Sequence, residues 1–202
     1  MAKRKEARVR ATGPVSADLI EQEAVRLFSE RTYPVVGMRD ISDAVGILPG
    51  SLYVHITSKE ELLLNIVVRG IQNYLDAIRP MAESTEPAPV RLRGAIKAHI
   101  RVLSGGVDRT RVAFHQWTYL NPANRKRIVA MRGRYEDLFA TIIADGIASG
   151  EFRKMRSQRI AVLSTIGTLN SATEWYSPTG TLSPEEVGDQ LADGALLGLQ
   201  QQ

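Results

Sequence analysis

Apolar residues in this chain recur at intervals of three and four, and no stretch shows the strict alternation of a half-buried strand. Ile20, Ala24, Leu27 and Phe28 make the first such stripe. With Ser16 placed as an N-cap and Asp18 in the first turn, they predict a helix ending near Arg31. Ile41, Ala44 and Val45 share a face of a second, short helix, and Gly46 stands where a left-handed terminating residue is needed. Pro49, at a first helical position, opens a third helix of about two turns. Its Leu52 and Ile56 turn to the core, which leaves Gly50, Ser51, Tyr53 and His55 outward. Ser58, with Glu61 three residues on, forms a capping box ahead of a long fourth helix. Leu62, Leu63, Ile66, Val67, Ile71, Tyr74, Leu75 and Ile78 lie along it at helical spacing. At 1.5 Å per residue it is about 33 Å long, enough to belong to two domains. Pro80 is expected to stop it, and residues 81–89 to form a loop.

Helical periodicity continues from Val90. One helix reaches about Leu103 and ends at Gly105 and Gly106, and a shorter piece covers residues 108–119. Asn121 and Pro122 open a long helix to Ser149, with Gly150 as terminator. Another covers residues 157–176, and Ser183, Pro184 and Glu186 start the last. Gly188, Ala192, Ala195 and Leu199 fall on one stripe of that last helix, and Ser164, Gly167 and Ser171 on one stripe of the helix before it. Small residues let backbones approach closely, so these two helices suit either a dimer interface or intrachain packing.

The expected fold is therefore all-α. Residues 1–15 form a basic arm, residues 16–61 a three-helix domain with a helix-turn-helix, and residues 62–202 a larger helical domain. The three-helix unit is too small for much independent stability and must lean on the fourth helix.

Composition adds little except through charge. With 44% hydrophobic and 24% charged residues the chain is ordinary soluble material. No apolar run approaches the 18 or so residues of a membrane span, and the N-terminus lacks the apolar stretch of a signal peptide. A cytoplasmic protein with no membrane partner is expected. No cysteine is present, so disulfide and thiolate chemistry are excluded. The formal net charge of +4 lies entirely in residues 1–15, where Lys3, Arg4, Lys5, Arg8 and Arg10 face only Glu6. That segment fits a solvated tail, and equally an arm laid along phosphates or into a minor groove.

Residues 37–62, GMRDISDAVGILPGSLYVHITSKEEL, carry the functional signal. A two-turn helix is unstable by itself, but held at a fixed angle by its predecessor it has the shape that a DNA major groove accepts. The segment resembles the DNA-binding domain of the TetR family of bacterial regulators through Arg39-Asp40-Ile41, Ala44-Val45-Gly46, Gly50-Ser51-Leu52-Tyr53, His55 and Ser58-Lys59-Glu60-Glu61-Leu62. It departs from that pattern at Met38 and Leu48, where hydroxyl caps are usual, at Ile56 for Phe, and at Thr32, where Gly often ends the opening helix. The resemblance implies a palindromic double-stranded DNA operator, a homodimer paired through the last two helices, and a small-molecule effector. It puts Ser51, Tyr53, His55 and Lys59 at phosphates, Arg39 and Gly50 at base edges, and Leu48 and Pro49 at the start of the recognition helix.

In the second domain the polar-ended aromatic clusters at residues 115–119 and 175–176 either complete a core or orient an effector. The effector candidates are His115, Trp117, Tyr119, Asn170 and Glu174. Residues 46–62 and 173–191 also resemble TetR-family repressors of steroid and lipid catabolism that answer to acyl-CoA thioesters. The helix that supplies charged and aromatic ligand contacts in those relatives reads STIGTLNSATE here, with no basic residue and no interior Trp. No cofactor is implied. His55, His99 and His115 show no metal-ligand spacing, and no phosphate-cradling glycine loop or nucleophile elbow is present. An effector-independent DNA-binding protein and a helical DNA-modifying enzyme are the alternative classes. Footprinting with and without metabolites, and nicking or base release on duplex DNA, separate them.

Overall fold

Ser16 Oγ accepts the Leu19 N–H at 3.2 Å and starts α1 (Ala17–Arg31), whose Ile20, Ala24, Leu27 and Phe28 are buried. The structure, a computed structural model, describes residues 16–200. Among them every regular element is helical: after α1 come α2 (Met38–Val45), α3 (Pro49–Leu52), α4 (Lys59–Glu83), α5 (Ala88–Ser104), α6 (Val107–His115), a single 3-10 turn (Trp117–Tyr119), α7 (Pro122–Ser149), α8 (Gln158–Trp175) and α9 (Pro184–Leu199). The basic arm lies outside the described residues.

α2 packs on α1, and α3 on α2. α4 touches α1 at its start and packs against α5, α6 and α7 farther along, so it runs from one unit into the other. Most start and stop signals act where the pattern puts them. Asn121 Oδ1 accepts the Asn124 N–H at 2.9 Å, Gly150 terminates α7 at φ 80°, and Ser183 with Glu186 makes a complete capping box.

Pro80 does not stop α4. The helix runs on through Met81 and Ala82 because α5 supplies partners for its exposed end. Arg91 Nε donates to the Met81 carbonyl at 3.1 Å, one Nη donates to the Ala82 carbonyl at 2.5 Å, and the other pairs with Asp145 at 2.8 Å. Side-chain donors thus serve carbonyls that the helix itself leaves open. The capping box expected at Ser58 is also incomplete. Ser58 Oγ accepts the Glu61 N–H, but the Glu61 carboxylate turns to the N–H and hydroxyl of Thr57.

The stripe on α9 faces inward. Gly188, Ala192 and Leu199 are buried, and a Cβ on Gly188 would lie 3.1 Å from the Lys97 Cα of α5. Arg93, Lys97 and Arg101 on α5 pair with Asp189, Asp193 and Glu185 along the same seam. That stripe is therefore intrachain packing. The small residues that α9 leaves exposed are Gly194 and Gly198, about 110° round the helix from the inward stripe at 3.6 residues per turn.

Candidate nucleic-acid interface and effector core

The turn between α2 and α3 begins at Gly46, whose φ of 83° closes α2 through the Gly46 and Ile47 N–H groups on the Ser42 carbonyl. Met38 is the first helical residue rather than the cap. Gly37 holds the cap position, and the Asp40 carboxylate accepts its N–H at 2.7 Å. Leu48 caps α3 with no side-chain hydrogen bond. α3 is a single turn, shorter than the two turns expected. Tyr53, Val54 and His55 continue it as a tighter turn, with the Val54 N–H on the Ser51 carbonyl and the His55 and Ile56 N–H groups on the Leu52 carbonyl.

Burial divides this segment cleanly. Leu52 is fully enclosed and Ile56 nearly so, whereas Leu48, Tyr53 and Val54 are 75%, 55% and 80% exposed. Pro49, Gly50, Ser51, His55 and Arg39 are exposed as well. One face thus carries a guanidinium, a hydroxyl, a phenol, an imidazole and uncovered apolar groups beside a bare glycine backbone. Val54 joins this face without having been expected there; an apolar residue beyond the inward Leu52 and Ile56 stripe was its only signal.

Lys59 behaves differently from the phosphate contact expected of it. Its Nζ donates to the Tyr33 carbonyl at 3.0 Å and the Val36 carbonyl at 2.8 Å, and lies 4.2 Å from the centre of the Tyr33 ring. Partial burial lowers its pKa from the ordinary value. The ammonium ties down the loop between α1 and α2.

Polar contacts bind this three-helix unit to the rest. Gln116 Nε2 donates to the Phe28 carbonyl at 2.7 Å and its Oε1 accepts the Tyr33 N–H at 2.6 Å. Glu21, 6% exposed, pairs with Arg109 of α6 and with Arg69 of α4 at 3.4 Å. Glu60 accepts from the Asn121 N–H and the Asn124 amide, which holds its pKa below the usual carboxylate value.

The family model for bacterial regulatory proteins of the tetR family matches residues 20–66, and the model for the tetracyclin repressor-like C-terminal domain matches residues 85–199. The chain belongs to the TetR family. It is accordingly a DNA-binding transcriptional regulator and not an enzyme. It is similar to the HTH-type transcriptional repressor KstR2 of Mycobacterium tuberculosis, with 29% identity over 90% of this chain and 92% of that protein. Among solved structures, the TetR-family regulator PfmR of Thermus thermophilus is 29% identical, covers 90% of this chain and 99% of its own, and superposes with a TM-score of 0.82. AibR in complex with isovaleryl coenzyme A and operator DNA shares the fold at a TM-score of 0.78 and 24% identity, over 91% of this chain and 97% of its own.

The second domain of this TetR-family chain scatters the effector candidates. His115 Nε2 bonds Thr173 Oγ1 at 3.2 Å and stands 3.8 Å from the Glu174 carboxylate, and both His115 and Glu174 are exposed. Tyr119 stacks on Tyr33 with ring centres 5.9 Å apart, at the seam with the first domain. These three therefore line no interior site. Trp117 and Asn170 do reach the interior: Arg132 lies over the Trp117 ring at 5.4 Å, and Asn170 Oδ1 is enclosed without a partner.

The centre of this domain is an aromatic cluster that sequence reading missed. Tyr74, His99, Phe114, Tyr135 and Phe139 meet edge to face or tilted. The Tyr135 hydroxyl bonds His99 Nδ1 at 2.9 Å, and the Tyr74 hydroxyl bonds Thr110. Burial pushes the Tyr74 and Tyr135 phenols up and drops His99 to about 3, which keeps all three neutral. Their signal in the sequence was a polar residue on an apolar stripe: His99 follows Leu92, Ala95 and Ile96, and Arg132 stands between Ile128 and Tyr135.

Among the described residues no helix is long and apolar enough to cross a membrane, and no cluster of His, Asp or Glu suits a metal ion.

Proposed function

We propose that this protein represses transcription as a homodimer on a palindromic operator and that a small apolar-bodied effector, a lipid- or steroid-derived acyl-CoA in the first instance, releases it. The observation that carries the reading is the outward face of α3 and its following turn. Gly50, Ser51, Tyr53, Val54 and His55 are free of the core while Leu52 and Ile56 pin the element from beneath. A bare backbone, hydroxyls and a phenol position on phosphates and sugars, and Arg39 with the apolar Val54 supplies groups for base edges and thymine methyls.

Two features support the dimer. Ile160, Leu163, Trp175 and Leu197 are exposed on α8 and α9 among Ser164, Gly167, Ser171, Gly194 and Gly198. Between those two helices runs an open groove of about 910 Å³ lined by Ile160, Ser164, Thr168, Leu191, Gly194 and Gly198. Uncovered apolar side chains beside small residues suit a second pair of helices laid across them. KstR2 is named a repressor, which supports repression by this chain, and AibR was crystallised with an acyl-CoA and operator DNA, which supports an acyl-CoA as the effector class.

Selection of bound sequences from random duplex DNA tests the reading. Enrichment of an inverted repeat, bound by two protomers, is expected. Enrichment of an asymmetric site bound by one protomer, or of nothing, contradicts it.

A further inference from the structure

Among the described residues, Arg132 is the one guanidinium with a fully enclosed nitrogen that meets no hydrogen-bond partner. It stands on the inward stripe of α7, one turn after Ile128 and one turn before Tyr135. Its guanidinium carbon lies 5.3 Å from the centre of the Phe114 ring and 5.4 Å from that of Trp117. Other arginines packed between helices are served well: Arg91 has two carbonyls and Asp145, and Arg111 has the Thr173 carbonyl, Ser29 and Asp108. Glu136, one turn on along α7, favours the charge but leaves that nitrogen unpaired, and two aromatic faces return only part of what a cation loses on leaving water. Burial also lowers the Arg132 pKa.

Two more enclosed polar atoms of this domain lack a hydrogen-bond partner. Asn170 Oδ1 on α8 is enclosed and unpartnered. His99 Nε2 on α5 is turned toward Leu169 without hydrogen-bond geometry, and its ring is 6.5 Å from Phe114. Arg132 and His99 both flank Phe114, and a core with no role beyond packing has no need of such unpaired groups there.

We propose that Arg132 anchors the charged group of the effector, an amphipathic organic anion whose apolar body lies against Phe114 and Trp117. The inference rests on the effector-responsive reading above. An unpaired guanidinium fork suits a carboxylate or phosphate, and the two ring faces suit an apolar body better than a bare inorganic ion. Asn170 Oδ1 would accept from a hydroxyl or amide on that body. Trp117 also follows Gln116 directly and precedes Tyr119 by two residues, and these hold the first domain through Phe28 and Tyr33. An occupant that displaces Trp117 therefore pulls on that seam.

The test uses the full chain carrying Trp175→Phe, which leaves Trp117 as the sole tryptophan. The probes are dodecanoate, dodecanoyl-coenzyme A and neutral dodecanamide, read by Trp117 fluorescence. At least one anion is expected to bind saturably and at least tenfold tighter than the amide. Dodecanoate alone assigns a carboxylate, and the thioester alone assigns a phosphate. Arg132→Met should erase the tenfold preference with no fall in melting temperature. If Met is not tolerated there, Arg132→Lys should cut the preference at least threefold. Preference retained in these variants, or no saturable response to either anion, overturns the proposal. Ligand-free Arg132→Met should still protect operator DNA. With that protection intact in chains that keep Trp175, failure of the anion test strikes this inference alone, whereas a wild-type protein that protects no DNA strikes the regulator reading.

Discussion

Gln116 donates to the Phe28 carbonyl at 2.7 Å, and through it the last turn of α6 is tied to the last turn of α1. The same side chain accepts the Tyr33 N–H, so one buried amide spans the seam between the two units. In Gln116→Leu the Phe28 carbonyl keeps the Thr32 N–H, but the Tyr33 N–H is stranded. A loss of about 1–3 kcal/mol is expected, read as a lower urea midpoint. The effector-induced change in operator affinity should shrink with it. Full coupling at reduced stability would place the transmission elsewhere, along α4.

Thr32 closes α1 at φ 67° and ψ 149°, a conformation that β-branched residues avoid. Thr32→Gly should raise stability by about 1 kcal/mol, since the strain it relieves exceeds the flexibility it adds to the unfolded chain. The check is a higher urea midpoint at unchanged operator affinity; a lower midpoint would mean that Thr32 is not strained.

Tyr53 and Lys59 should part company. Tyr53→Ala removes an exposed ring, so stability should move by less than about 0.5 kcal/mol while operator affinity falls. Lys59→Ala removes two hydrogen bonds and a cation–π contact and should destabilise by about 1–2 kcal/mol. It should leave the slope of log K against log salt unchanged. A slope reduced by about 1 would return Lys59 to a phosphate.

His99 predicts a pH dependence. Its folded pKa of about 3 lies below the ordinary 6.5, so the unfolded chain binds the proton more readily. Stability is fully present above about 6.5 and is lost as pH falls from there toward 3. The slope is at most about 1.4 kcal/mol per pH unit. Urea unfolding at pH 5 and 7 should show this loss in the parent and not in His99→Leu. Equal losses in both would assign it to other groups.

Much of the fold was legible because local signals and tertiary packing agree. Ser16, Gly46, Asn121, Gly150 and Ser183 act where their neighbours' periodicity puts them, and Leu52 and Ile56 face inward as spacing requires. Three of the misreadings share one cause, a distant partner overriding a local rule. Pro80 ends most helices, but Arg91 from α5 serves the carbonyls beyond it. Lys59 reads as a solvated cation until Tyr33 and Val36 are folded beneath it. Gly188 and Ala192 form a stripe that fits a partner subunit equally well, and only the position of α5 decides. The effector core was the least legible part, because His99 and Arg132 each interrupt an apolar stripe on separate helices and nothing local joins them.

Hydroxyl-radical footprinting on a selected operator probes the central claim most directly, namely that the exposed face of α3 enters the major groove twice, once per protomer. The expected pattern is two protected patches on one side of the duplex, about 34–36 Å apart or a multiple of that spacing, with both patches lost together in Tyr53→Ala. A single patch, or protection that Tyr53→Ala leaves intact, would contradict it.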